Sequence, residues 1–223
     1  MRIAKNIKKL LIVSAFLGTG WSLYGQVDTS LSDQNFFLKP YGGVSMISAV
    51  SPVLKLDGKE LPSKVNTGIG FSTGITAGYK FTPNFTVEAG WEYKTNDIDF
   101  TVDNKTHLGN YASNTFYLNG IYVFNTKSRF KPYAGAGISF IQEIDLDYET
   151  FESERSFSTD GELGVQGLAG LDYLINDRVV LNTELTHTRY ASFDLIAEDG
   201  SGGELQDLKY NPFVLNVGIK ILF

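Results

Sequence analysis

The chain has 223 residues, 25 acidic against 19 basic side chains for a formal charge of −6, and is 43% hydrophobic with 23 glycines, 16 Phe and 12 Tyr. Its length, without a Pro-rich or Ser-rich linker, fits one domain, and the weight of Phe, Tyr and Gly over strong helix formers favours an all-β fold. The acidic balance excludes a nucleic-acid binder that tracks phosphates with a basic stripe, and the absence of cysteine excludes disulfides and thiolate metal sites.

In chain order, Arg2, Lys5, Lys8 and Lys9 precede an apolar run over 10–17, and small or polar residues follow. This reads as a signal peptide over residues 1–25, cut after Gly25, with Leu23 and Gly25 at the recognition positions. The run is shorter than the roughly 20 residues a membrane-crossing helix needs. Removing it takes away four positive charges and no negative ones, so the formal charge moves from −6 to −10. Residues 26–34 then form a short periplasmic segment, and residues 35–223 form the folded domain.

Period two dominates that domain. Strands are predicted over 35–47, 69–81, 85–94, 113–124, 130–142, 161–175, 179–192 and 209–223. In 69–81, Ile69, Phe71, Thr73, Ile75, Ala77, Tyr79 and Phe81 alternate with Gly70, Ser72, Gly74, Thr76, Gly78 and Lys80. The last strand sets Phe213, Leu215, Val217, Ile219, Ile221 and Phe223 against Val214, Asn216, Gly218, Lys220 and Leu222. Three connections are short and carry turn residues: Thr82-Pro83-Asn84, 125–129 and Asn176-Asp177-Arg178. The other four, 48–67, 95–112, 143–160 and 193–208, are long and polar. Strict alternation of short and long connections is what an eight-stranded antiparallel up-and-down transmembrane β-barrel with both termini in the periplasm requires. Aromatics beside the short turns (Tyr79, Phe81, Phe85, Tyr122, Phe124, Phe130, Tyr173) and at Phe223 would build its inner girdle. Trp91, Tyr93, Phe116, Phe140 and Phe213 would build the outer one.

Eight strands enclose only enough space for side chains to fill, so the glycine-rich polar series belongs inside and the bulky series faces lipid. A lumen ionic network is expected from Lys39, Lys80, Lys131 and Lys220 with Glu88, Asp172 and Glu184, and from Glu92, Lys94 and Glu162 at a higher level. Strand neighbours suggest Lys80 with Glu88 and Lys220 with Glu184.

The terminal Asn216-Val217-Gly218-Ile219-Lys220-Ile221-Leu222-Phe223 and the alternating strands resemble the OmpA-like and OmpX-like small outer-membrane β-barrels. Lys131-Pro132-Tyr133-Ala134-Gly135-Ala136-Gly137 is similar to a strand opening common in the broad porin-like superfamily, and a cut before Gln26 is similar to exported proteins of Bacteroidota. The resemblance implies residence in the bacterial outer membrane, contact with outer-membrane lipids and lipopolysaccharide, and Phe223 as the assembly signal offered to the outer-membrane assembly machinery. One departure is that the chain stops at the last strand, so the peptidoglycan-binding domain that follows the barrel in the larger OmpA proteins is not expected here. Members include adhesins, envelope-stabilising proteins, pores and subunits of larger machines, so fold does not give function.

A search for chemistry yields little. His187 lies where the lipid A deacylase barrels, which this region resembles, carry a catalytic His followed two positions later by Ser; here that position is Arg189, so His187 reads as an interfacial aromatic. His107 lies in a polar connection. No phosphate loop or zinc spacing is present, and no catalytic residue, cofactor or nucleic-acid partner is expected. Residues 143–160 hold seven acids and one Arg, and 194–209 five acids and one Lys. Asp145, Asp147 and Glu149, or Glu198, Asp199 and Glu204, are weak candidates for a surface divalent cation. The sequence thus points to a non-enzymatic structural, adhesive or interaction protein with acidic surface loops, with a small porin-type channel as the alternative and a lipid A-modifying enzyme a more distant one.

Overall fold

The computed structural model describes residues 35–48, 50–56, 58–149 and 154–223. The signal peptide and the segment over 26–34 lie outside the described residues. All regular structure described is β, in thirteen antiparallel strands rather than the eight expected: β1 (Phe36–Ile47), β2 (Val53–Leu56), β3 (Lys59–Thr67), β4 (Gly70–Lys80), β5 (Phe85–Val102), β6 (Lys105–Val123), β7 (Phe130–Glu149), β8 (Glu154–Thr159), β9 (Glu162–Leu174), β10 (Val179–Tyr190), β11 (Phe193–Ala197), β12 (Glu204–Leu208) and β13 (Pro212–Leu222).

Pairing closes the sheet into two stacked rings. The lower runs β1–β4–β5–β6–β7–β9–β10–β13 and returns to β1 through Phe37↔Leu222 to Ile47↔Pro212. The upper runs β5–β6–β7–β8–β11–β12–β2–β3 and returns to β5 through Ser63↔Val102 to Thr67↔Ile98. The long strands β5, β6 and β7, of 18, 19 and 20 residues, belong to both. At about 3.3 Å per residue they reach about 60 Å, roughly twice what the 9–11 residues of a membrane-crossing strand cover.

The three short turns of the lower ring lie where the sequence puts them, and side chains fix them. Thr82 Oγ1 accepts the backbone N–H of Phe85 at 2.9 Å. Asn176 Oδ1 accepts those of Arg178 and Val179, each at 2.9 Å. The long connections are not loops. Most of 95–112 is the continuation of β5 and β6, joined by the pair Asp103 and Asn104 at φ 50° and 59°. Positive φ at both central residues defines the two-residue turn whose twist matches the flanking strands.

These stretches look like loops in the sequence because their alternation is inverted. Along β5 the inward series passes from Glu88, Glu92 and Lys94 to Ile98 and Phe100, while the outward series passes from Phe85, Trp91 and Tyr93 to Asp97 and Asp99. β7 makes the same change with one added device. Asn114 pairs Glu143 and Thr115 pairs Ile141, leaving Gln142 as an extra residue, so Gln142 and Glu143 are both exposed. A one-residue slip reverses every side chain beyond it. The bulge therefore turns Ile144, Leu146 and Tyr148 inward and Glu143, Asp145 and Asp147 outward.

The upper ring accordingly encloses an ordinary apolar core, with Leu54, Val65, Phe100, Ile144, Leu146, Phe157, Leu195, Leu205 and Leu208 buried. The lower ring is inside out: Val44, Ile75, Phe116, Leu118, Leu181, Leu215, Val217 and Ile219 are exposed on its outer wall. Rings of Phe36, Tyr79, Phe81 and Phe85 in contact mark its turn-bearing end.

Candidate functional site

Charged side chains fill the interior of the lower ring. Lys39 Nζ lies 3.1 Å from Glu184 and 3.5 Å from Glu88, Lys94 Nζ 2.6 Å from Glu92, and Lys220 Nζ 2.7 Å from Asp172. Neutral groups join these pairs. Tyr133 donates its hydroxyl to Glu184 at 2.6 Å and accepts from Asn182, which also donates to Asp172. Asn119 donates to Glu88, Gln166 to Asn119, and Asn216 to Glu92.

Lys39 thus meets two acids from opposite walls, and Lys220 meets Asp172 rather than the Glu184 expected from strand neighbours. In a narrow lumen a lysine reaches across the interior, so ladder adjacency does not select its partner. Lys131 turns to Asn125 and the Thr126 carbonyl at the turn-bearing end. Lys80 is buried there and, with Asp172 and Lys220, lines a cavity of about 30 Å³, room for one water. Glu162 is half-buried at the upper start of β9.

Sequence reasoning missed the neutral members of this lumen, above all Tyr41, Tyr117 and Tyr133. The signal was present as glycine. A Cβ at Gly170 would collide with the Tyr133 ring, and one at Gly74 with the Tyr41 ring. These positions are empty so that an aromatic from a neighbouring strand can lie across them.

Between the ionic layer and the apolar core, hydroxyls meet: Ser113 with Tyr210 at 2.8 Å and Ser139 with Tyr190 at 2.6 Å. Outside the upper ring, Asp145 has its carboxyl pushed up to about 6 by partial burial and by the like charges of Glu143, Asp147 and Glu198. Other candidate cation ligands are engaged locally: Asp199 accepts the Ser201 backbone N–H at 2.8 Å and Glu204 accepts from Gln206 at 2.8 Å. Glu149 ends β7, where its carbonyl meets His107 Nδ1 at 3.0 Å. Among the described residues no three His, Cys, Asp or Glu side chains are arranged to hold a metal. His187 is exposed, its ring 5.9 Å from Phe213.

An inside-out lower ring beneath an ordinary apolar one is the construction of an outer-membrane protein. The comparisons agree: residues 26–220 match the outer membrane protein beta-barrel domain, and the chain belongs to that family, which resides in the bacterial outer membrane. It is 24% identical to outer membrane protein W of Vibrio cholerae over 203 residues, 84% of this chain and 92% of that protein. Among solved structures it is similar to OprG from Pseudomonas aeruginosa, with TM-score 0.62 and 18% identity over 87% of this chain and 99% of that one. It is also similar to the outer membrane protease OmpT from Escherichia coli, with TM-score 0.50 and 8% identity over 86% and 97%. These structural likenesses show a shared fold, and the fold hosts different activities.

Proposed function

We propose that the lower ring is an eight-stranded up-and-down transmembrane β-barrel, closed to passage, and that the protein acts without catalysis as a structural, adhesive or interaction protein. Its working surface is the acidic wall that the upper ring raises above the membrane. The observation that carries this reading is the filled interior: the Lys39–Glu88–Glu184 layer lies under a core in which Phe100, Ile144, Leu146, Phe157 and Leu195 are 0% exposed. A closed ladder pairs every backbone group that hydrocarbon would otherwise leave unsatisfied, which supports a spanning role. The acids on the outward face of β7, beside Glu198, give the wall its negative field. Planar-bilayer recording of the refolded protein tests the reading. A flat baseline is the expected result, and discrete conductance steps would overturn it.

A second reading, transport, is favoured by the apolar character of the upper interior. That interior is packed with side chains, so passage requires them to move aside, which suits an apolar solute better than an ion, and such a solute would cross without conductance. Uptake of a radiolabelled apolar solute into vesicles carrying the protein, compared with empty vesicles, separates this reading from the first.

A further inference from the structure

Among the described residues, one break in the wall lies between the β9–β10 pair below and the β8–β11 pair above. β9 and β10 are paired upward only as far as Gly164↔Tyr190, and β8 and β11 pair again at Ser158↔Ile196. Among the described residues no pairing joins 159–163 to 191–195. The wedge opens a groove of about 540 Å³ on the outer wall, lined by Ile138, Leu163, Val165, Arg189 and Ala191 and backed by Tyr190.

The groove is apolar, with Leu163, Val165 and Ile138 65%, 63% and 55% exposed. Arg189 is the exception. It pairs across the ladder with Val165, which pairs with Ile138, which pairs with Leu118, so its side chain lies in one outward row with three exposed aliphatics. The row above is still apolar, with Leu163, Phe140 and Phe116. Among the described residues of the stretches that build the lower ring, every Lys points inward and Arg189 is the one outward-facing Lys or Arg. Its guanidinium forms no ion pair or hydrogen bond with any described residue. A guanidinium on the lipid face is costly away from the interface unless something neutralises it. Its planar fork binds a phosphate through two parallel hydrogen bonds.

We propose that this seam binds one phosphate-bearing lipid of the outer leaflet, the phosphorylated lipid A moiety of lipopolysaccharide, with its phosphate on Arg189 and an acyl chain along Leu163, Val165 and Ile138. The inference depends on the lower ring spanning the membrane, not on whether the lumen conducts. Two features of opposite chemistry meet in one place, an apolar furrow and an unpaired cation at its margin, and a lipid headgroup joined to its chain satisfies both.

The test is native mass spectrometry of the full protein, refolded in detergent and incubated with bis-phosphorylated or with dephosphorylated lipid A. Wild type retains one phosphorylated molecule, R189Q loses occupancy by about tenfold, and R189K falls between, because a point charge replaces a bidentate fork. Dephosphorylated lipid A binds wild type no better than R189Q, which tests the phosphate without altering the protein. Equal retention by wild type and R189Q, or equal binding of the two lipids, would overturn the proposal. The latter result would point to an apolar occupant instead. Faster migration of unboiled than boiled protein on electrophoresis shows that each variant is folded. Loss of that difference in wild type would refute the spanning barrel, and not the lipid site alone.

Discussion

Lys39 on β1 and Glu184 on β10 meet across the lumen at 3.1 Å with Lys39 1% exposed, and the same ammonium lies 3.5 Å from Glu88. One cation thus serves two carboxylates where water is scarce. Lys39→Met leaves both acids without their main partner, and removing one member of a buried pair costs about 3–5 kcal/mol. Urea unfolding from lipid vesicles should show the midpoint fall accordingly. Adding Glu88→Gln and Glu184→Gln should recover most of the loss, since no charge is then stranded. An unchanged midpoint for the single variant would show that the network contributes no stability.

Deleting Gln142 removes the extra residue that sets the parity of upper β7. Asp145 and Asp147 would then face the apolar core, and Ile144 and Leu146 would face water. The upper ring should open while the lower ring persists. Limited proteolysis should cut the variant within 143–160, with the unboiled mobility shift retained. Resistance equal to wild type would mean that the bulge does not set the facing of these residues.

The Asp145 carboxyl is raised from 3.8 to about 6, by partial burial first and then by Glu143, Asp147 and Glu198. A carboxyl raised on folding binds its proton more tightly in the folded state. Its contribution to stability is therefore complete below about pH 4 and lost as pH rises through about 6. Amide hydrogen exchange in upper β7 and β8 should be slower at pH 5 than at pH 7 after correction for intrinsic rates. Asp145→Asn should remove part of this difference, and an identical profile in the variant would exclude Asp145 as its source.

Gly170→Val should push the Tyr133 ring away from Glu184 and Asn182. Overpacking of this kind costs about 1–3 kcal/mol, read as a lower unfolding midpoint. Gly167→Ala serves as the control, since a Cβ there meets nothing within 4 Å. Equal effects of the two substitutions would contradict the packing argument.

Phe223 stands exposed just beyond β13, with its N–H bonded to the Phe36 carbonyl at 2.8 Å. If its ring is the signal read during assembly, Phe223→Ser should lower the amount in the outer membrane several-fold while leaving refolding in detergent unchanged. Normal membrane levels would discard that role.

Period two over 69–81 and over the last strand, with turn residues at Thr82, Asn84 and Asn176, was enough to read the class, the direction of the bulky faces and the three short turns, because these depend on local alternation and local hydrogen bonding. Lys39, Glu88, Glu92, Lys94, Asp172, Glu184 and Lys220 share the inward series with glycine, which is why alternation alone groups them. The sequence did not show that β5, β6 and β7 continue as strands beyond the apolar belt. Their outward residues there, such as Asp97, Asp99, Asp145 and Asp147, have the composition of a loop, and the alternation survives only with its polarity reversed. It did not pair Lys39 with Glu88 and Glu184 either. Closure of the ring brings residues from opposite walls within reach, and the partner of a buried charge is chosen by distance across the lumen, which no spacing along the chain records.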